Sequence, residues 1–438
     1  MTTTGTDMST HTRPLSRQDY KTLGLAALGG ALEFYDFIIF VFFAVVIGEL
    51  FFPPDIPEWL RQFQTFGIFA AGYLARPLGG IIMAHFGDLV GRKRMFTLSI
   101  ILMALPTLLI GLLPTHATLG ILAPVLLLLL RILQGAAIGG EVPGAWVFVA
   151  EHVPAKRVGV ACGVLTGGLT AGILLGSLVA TAINKGMSPS EVSQWGWRLA
   201  FVLGGVFGIL AMYLRRWLHE TPVFAELQAS KALAEELPLR TVLREHRSSV
   251  VISMLLTWLL SAGIVVVILM TPTYLQKVHA IAPADALQAN SLAILALTLG
   301  CVVYGRLCDA IGSGRTFLLG SVLLAVTVNL FYRGLLGGSD ALYAHYALAG
   351  FAVGLVGAVP HVMVHAFPPA VRFSGLSFSY NVAYAIFGGL TPMLVTLWMK
   401  EDVLAPSHYV TAISAVGFAV GLLLWQQQRR AARIAQPA

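Results

Sequence analysis

The chain has little charge. Only 11% of its 438 residues are Asp, Glu, Lys or Arg, against about 25% in soluble domains. By contrast 57% are hydrophobic, and the mean hydropathy is +0.80. A soluble globular protein is excluded. Cysteine is also scarce: Cys162, Cys301 and Cys308 all fall in apolar segments, and the last two lie seven apart on one predicted helix, too far for a bridge. No disulfide framework is implied. The short motifs of membrane enzymes and pumps are missing as well. There is no HExxH, no GxSxG, no metal-spaced Cys/His set, and no Gly-Lys dipeptide from which a nucleotide-binding GxxxxGK[ST] loop would be built. An enzyme, a metal site and a cofactor are therefore not expected, nor is a sensor, which would append a soluble domain. The formal net charge of +7 does not point to nucleic acid, because the 28 Lys and Arg sit in short clusters between apolar runs.

Apolar runs are what the chain has in abundance. They recur at 21–48, 60–86, 94–113, 117–150, 158–183 and 197–217, then at 248–276, 287–308, 315–332, 341–366, 373–399 and 407–426. A span takes roughly 20 apolar residues, so the pattern predicts an all-α polytopic membrane protein with twelve transmembrane helices in two six-helix bundles. Residues 1–20 are polar, with no apolar signal region, and are expected to be an uncleaved cytoplasmic tail. Bundles at 21–217 and 248–428 follow, joined by a cytoplasmic linker at 218–247, the longest polar stretch, with a cytoplasmic tail at 429–438. With the N-terminus inside, 20 of the 28 Lys and Arg fall on the cytoplasmic side. Five fall outside (Arg61, Lys185, Lys277, Arg333, Lys400) and three within helices (Arg76, Arg131, Arg198). That bias places both termini in the cytoplasm.

The halves resemble each other. Gln134-Gly135-Ala136-Ala137-Ile138-Gly139 through Pro154-Ala155-Lys156-Arg157 can be laid on Ala349-Gly350-Phe351-Ala352-Val353-Gly354 through Pro369-Ala370-Val371-Arg372, about 215 residues later. Asp88-Leu89-Val90-Gly91 recurs as Asp309-Ala310-Ile311-Gly312. Repeats of this kind are found in secondary transporters, where a substrate site forms between two rocking halves.

Gly87-Asp88-Leu89-Val90-Gly91-Arg92-Lys93-Arg94, between the second and third spans, combines turn-forming glycines with an acid and a basic cluster. With this loop the chain resembles the major facilitator superfamily. The second copy departs from the pattern, with Ser313 and Gly314 where a basic residue usually follows the glycine. Five further segments extend the resemblance over nearly the whole chain. They are Leu32-Glu33-Phe34-Tyr35-Asp36-Phe37, Ala75-Arg76-Pro77-Leu78-Gly79-Gly80, Arg131 to Glu141, Glu151-His152-Val153-Pro154-Ala155-Lys156-Arg157, and Ile386-Phe387-Gly388-Gly389-Leu390-Thr391-Pro392. Together these look like the metabolite:proton symporter family. The resemblance implies import of a small organic anion with protons across a bacterial inner membrane, by a monomer driven by the proton gradient alone. Family substrates include citrate, dicarboxylates, 2-oxoacids, shikimate, and proline or betaine. A di- or tricarboxylate such as citrate is the leading expectation. A zwitterion, shikimate, or a proton-independent facilitator are the alternatives, the zwitterion being disfavoured because the chain ends soon after Arg433 without the coiled coil of osmosensing relatives.

A charge near the bilayer centre costs at least about 2.5–3.5 kcal/mol, so it is kept only when paired or lining water. Asp36, Arg76 and Arg131 fall mid-span, and Asp36 and Arg131 are expected to pair across the first and fourth helices. By resemblance to proton-coupled sugar porters, Asp36 is the proton site and Arg131 its modulator, the alternative being a permanent structural pair. Glu33 shares a face with Asp36 and so competes for the proton. Glu141 is a further candidate carrier. Arg76, beside Pro77 and two glycines, is expected to hold a substrate carboxylate or to pair with Glu33 or Glu141. Tyr35, Gln134 and Arg131 complete the N-terminal share of the binding candidates. The second half offers Tyr274, His361, Tyr380, Asn381 and Tyr384, whose alternative role is to bridge helices. Gly87, Asp88, Gly91, Arg92, Glu151, Arg157 and Glu220, with Asp309, Arg315 and Arg372, are expected to form a cytoplasmic gate, or else to be ordinary interfacial charge.

Overall fold

In the hydrocarbon core of a bilayer, backbone groups have no water to bond, so each apolar run must close its hydrogen bonds within itself. In a computed structural model all twelve runs do so as helices, and there is no strand among the described residues. Those residues are 17–90, 92–215, 238–338, 340–368 and 371–434. Of residues 18, 19, 22, 81–90, 92–100, 141, 152, 214, 215 and 431–434 the backbone alone is described. The first half comprises α1 (Arg17–Phe42, continued past Phe43 by Ala44–Phe51), α2 (Glu58–Val90), α3 (Arg92–Leu112), α4 (Leu122–Ile138, then Glu141–His152), α5 (Val158–Gly186) and α6 (Trp197–Arg215). The second comprises α7 (Arg247–Val278), α8 (Pro283–Ile311), α9 (Ser313–Leu336), α10 (Leu342–Ala366), α11 (Arg372–Trp398) and α12 (Ala405–Ile434). Predicted and observed limits differ most at α12, where the helix outruns its apolar part into Gln426, Gln427 and Gln428. Of the linker, Pro238–Glu245 is a short helix, and residues 216–237 lie outside the described part.

The helices turn their polar residues inward. On α4, Leu126, Leu129 and Leu133 are exposed on the lipid side, while Arg131 and Gln134 are fully buried. The buried face is also where small residues let backbones approach. A Cβ on Gly135 would lie 1.8 Å from the carbonyl oxygen of Gly72, and one on Gly139 would lie 2.2 Å from that of Arg76, so any side chain at these two α4 positions would push α2 away. This crossing sets the depth at which Arg76 sits.

Helix irregularities mark the repeat. α4 breaks between Ile138 and Glu141, and α10 tightens into a 3-10 segment at Gly354–Ala358, the equivalent place about 215 residues on. α7 and α11 contain π-helical segments at Ala262–Met270 and Tyr384–Gly389. Such segments are common at functional sites. The halves meet along two seams. On α5–α8 the side chains bond across at Thr170–Thr298 (2.9 Å) and Ser177–Ser291 (2.8 Å). On α2–α11 the rings of Tyr73 and Tyr384 stack at 5.0 Å.

Candidate functional site

The α2–α11 seam carries the central site. Arg76 is 1% exposed, and its guanidinium carbon lies 5.4, 5.2 and 4.9 Å from the rings of Tyr73, Tyr380 and Tyr384. Tyr73 and Arg76 share a face of α2 three residues apart, and Tyr380 and Tyr384 share a face of α11 four apart. Trp146 of α4 closes the group edge-on against Tyr380 at 4.9 Å. Nε and Nη2 of Arg76 have no hydrogen-bond partner among the described residues. These two nitrogens form one edge of the planar fork, the edge that grips a carboxylate with two parallel bonds. Next to Tyr380 on α11, Asn381 donates from Nδ2 to the Gly139 carbonyl (2.5 Å) and to Ser377 Oγ (3.3 Å), leaving its buried Oδ1 without a partner among the described residues.

A second guanidinium lies behind this group. Arg131 is fully buried against the rings of Phe37, Phe40 and Phe69 at 4.3, 4.7 and 5.6 Å. Its Nη1 donates to the Phe37 carbonyl (2.9 Å) and to Gln134 Oε1 (2.9 Å), and Gln134 Nε2 in turn donates to Thr107 Oγ1 (2.7 Å). The expected ion pair with Asp36 is not made: among the described residues no carboxylate is within ion-pair distance of Arg131. The reason is azimuthal. Successive helix residues point about 100° apart, and Arg131 takes the backbone of Phe37 while Asp36 turns toward α6. There a Cβ on Gly204 would lie 2.7 Å from Asp36 Oδ1 and 2.7 Å from Thr107 Cγ2, so the glycine is what leaves room for the carboxyl. Asp36 is 2% exposed, and its Oδ1 has no hydrogen-bond partner among the described residues. Glu33, one turn earlier, is also buried.

The other binding candidates lie elsewhere. Tyr35 bridges α1 to α6, its hydroxyl donating to the Ala200 carbonyl (2.7 Å). Gln134 is committed to Arg131 and Thr107. Tyr274 lies near the C-terminal end of α7, donating to the Val403 carbonyl (3.2 Å) and lining, with Lys277 and Gln62, a cavity of about 10 Å³, enough for one water. His361 lies near the C-terminal end of α10, its ring 4.6 Å from that of His365. Of the binding set, Arg76, Tyr380, Asn381 and Tyr384 are brought together. Tyr73 and Trp146 were missed. Tyr73 carried a signal, lying one helical turn from Arg76.

At the end where α4 finishes and α11 begins, Arg372 Nη1 meets Glu151 Oε1 at 3.2 Å, joining the halves. Asp309 at the end of α8 accepts hydrogen bonds from the backbone N–H groups of Gly159 and Val160 at the start of α5, both at 2.8 Å. Arg157 and Arg315 are exposed. The expectations for Gly87, Asp88, Gly91, Arg92, Glu141 and Glu220 fall outside the residues whose side chains are described. The opposite end of the molecule has ionic contacts that the sequence did not single out. Lys277 of α7 reaches Glu58 (3.0 Å) and Glu49 (3.5 Å) of the first half. Lys400 lies 3.9 Å from the ring centre of Trp59. Partial burial acts to raise the pKa of Glu58, but hydrogen bonds from Lys277 and Gln62 and the charges of Lys277 and Arg61 outweigh it and hold the carboxyl below its ordinary range.

Known proteins share this architecture. The proline/betaine transporter of Salmonella typhimurium is 30% identical over 438 residues, covering 95% of this chain and 86% of the relative. The inner membrane metabolite transport protein YhjE of Escherichia coli is 30% identical over 422 residues, covering 93% and 94%. The E. coli xylose transporter XylE, in a partially occluded inward-open conformation, superposes with a TM-score of 0.72 at 18% identity, covering 94% of this chain and 98% of that one, a likeness of fold. The family model for the Major Facilitator Superfamily matches residues 27–392, and the chain belongs to that superfamily of membrane transporters.

Proposed function

We propose that the protein is a proton-coupled symporter that brings a small zwitterion of the proline or betaine type across a bacterial inner membrane, both termini facing the cytoplasm. The observation that carries the substrate class is the open Nε/Nη2 edge of Arg76, buried among tyrosine rings on the seam between the halves. It offers one bidentate place for one carboxylate, in surroundings of aromatic faces and neutral polar groups. A tricarboxylate would need more cations than the described centre holds. The name of the Salmonella relative, a proline/betaine transporter, supports the same substrate class, and that of YhjE supports an inner-membrane setting.

Asp36 is the proposed proton carrier. Its carboxyl is buried where an unpaired charge is costly, so uptake of a proton is matched to the state that holds it. Arg131 also supports a second reading. If its Nε/Nη2 edge binds substrate, the two guanidinium groups together suit a dicarboxylate.

The test is uptake of labelled proline, proline betaine, succinate and citrate by proteoliposomes, with and without an inward proton gradient. Gradient-stimulated accumulation of proline or betaine is expected. Accumulation of succinate or citrate alone would replace the zwitterion with the carboxylate reading, and uptake indifferent to the gradient would remove proton coupling.

A further inference from the structure

Arg76 is held in a way that a carboxylate-binding arginine does not need. Three tyrosine rings surround its guanidinium at 4.9–5.4 Å, within the roughly 6 Å over which a ring face attracts a cation. One ring comes from the first half and two from the second, so the enclosure exists only while the halves meet on this seam. Trp146 backs it from the side. The backbone is irregular on both walls. Pro77 has no N–H, so the carbonyl of Tyr73, four residues earlier, loses its helical donor. On the opposite wall, Tyr384 opens a π segment that runs to Gly389. π segments are frequent at functional sites, and here one faces a proline-interrupted helix across the same aromatic cluster.

We infer that the Tyr73–Tyr380–Tyr384 enclosure is the subsite for the substrate's ammonium group, and that Arg76 occupies it in the empty carrier as an internal stand-in. This deepens the zwitterion reading and rests on it. On binding, the quaternary ammonium takes the ring faces while the guanidinium turns its Nε/Nη2 edge to the carboxylate. Neither the rings nor the arginine is left without a partner of opposite character. The exchange explains how a buried cation and a buried aromatic cluster are both tolerated without substrate: each satisfies the other. It also sets specificity, since a ligand with a carboxylate but no cation would strip Arg76 from the rings and put nothing in its place.

Glycine betaine and 3,3-dimethylbutanoate test this, because they share shape and carboxylate and differ in nitrogen against carbon at the branched centre. Binding is measured on the purified full-length protein by calorimetry or by competition against labelled betaine. Wild type should prefer glycine betaine by about tenfold or more. Tyr384→Phe should keep that preference, because the ring face is retained. Tyr384→Leu and Tyr380→Leu should reduce it toward unity. Equal binding of the two ligands by wild type overturns the subsite without any variant. A preference left intact in both leucine variants overturns it as well. If wild type binds neither ligand while succinate or citrate binds, the zwitterion reading falls and the subsite falls with it.

Discussion

The two ends of the seam between the halves are fastened by different chemistry. On the proposed orientation, the cytoplasmic end has Asp309 gripped by two backbone N–H groups at 2.8 Å, together with one side-chain pair, Glu151 with Arg372. At the outer end the fastening is side chain to side chain, with Lys277 reaching Glu58 and Glu49, and Lys400 lying over Trp59. Backbone donors at a helix start are already ordered, so their bonds to a carboxylate lose little entropy and gain from the helix dipole. A lysine must freeze a long side chain to make a contact that water and salt weaken. The inner fastening is therefore the stiff one and the outer fastening the adjustable one. The proposed import is served by that asymmetry, because a carrier loaded from outside must respond first at its outer end.

Breaking the stiff end should have the largest effect. Asp309→Ala removes both amide contacts, and hydrogen bonds to a charged group are worth about 1.5–3 kcal/mol each. A shift of at least about tenfold toward cytoplasm-open forms is expected. Spin-label distances between the cytoplasmic ends of α4 and α11 would show it, and an unchanged distance distribution would remove Asp309 from the lock. Gly159→Ala attacks the same contact from the other side. Its Cβ would lie 2.4 Å from the Gly305 carbonyl oxygen and 2.5 Å from Asp309 Oδ1, so the helices must separate and a shift in the same direction is expected. Next in size is the Glu151–Arg372 pair, which is partly exposed on both sides. Glu151→Arg should open the cytoplasmic end by a few-fold, and adding Arg372→Glu should restore it. Failure of the exchange to restore would show that the contact does not join the halves in the membrane.

How much of this was legible in the sequence depends on the direction asked about. Hydropathy reports depth, and depth was read well: all twelve spans, the burial of Asp36, Arg76 and Arg131, and the repeat that reappears as matched helix breaks at Gly139 and Gly354. Rotation about a helix axis and choice of neighbour are set by packing between distant segments, which no single run displays. Hence the pairing of Asp36 with Arg131 failed although both depths were right, and Tyr35 proved to be a bridge to α6. The central ring cluster needed Tyr73 and Tyr384 from opposite halves, more than three hundred residues apart in the chain. The second loop copy, Asp309 to Gly312, lacks a basic residue directly after its glycine, and Asp309 was expected in a gate with Arg315 and Arg372. Its partners turned out to be backbone N–H groups, which every residue but proline owns and which no motif can display.

The adjustable end gives the smallest effects and the most informative one. Lys277→Gln should loosen the outer end by no more than a few-fold, since exposed ion pairs are worth about 0–1 kcal/mol, and added salt should do the same to wild type. Acid tests the contact without a mutation. Glu58 is held below its ordinary carboxylate range by Lys277, Gln62 and Arg61, and loss of Lys277 when the outer end opens moves it back toward that range. The closed form therefore binds fewer protons than the open one. Its stabilisation is complete above the ordinary carboxylate range and is lost as pH falls through the lowered value. External acidification from neutrality to below that range should favour outer opening, read from spin-label distances between the outer ends of α2 and α7. Because Asp36 can also take up protons, the decisive comparison is Glu58→Gln, in which the acid response at these labels should disappear while transport remains sensitive to pH. If the response survives Glu58→Gln, the outer latch does not sense protons and all of the pH dependence belongs to the buried carboxylates.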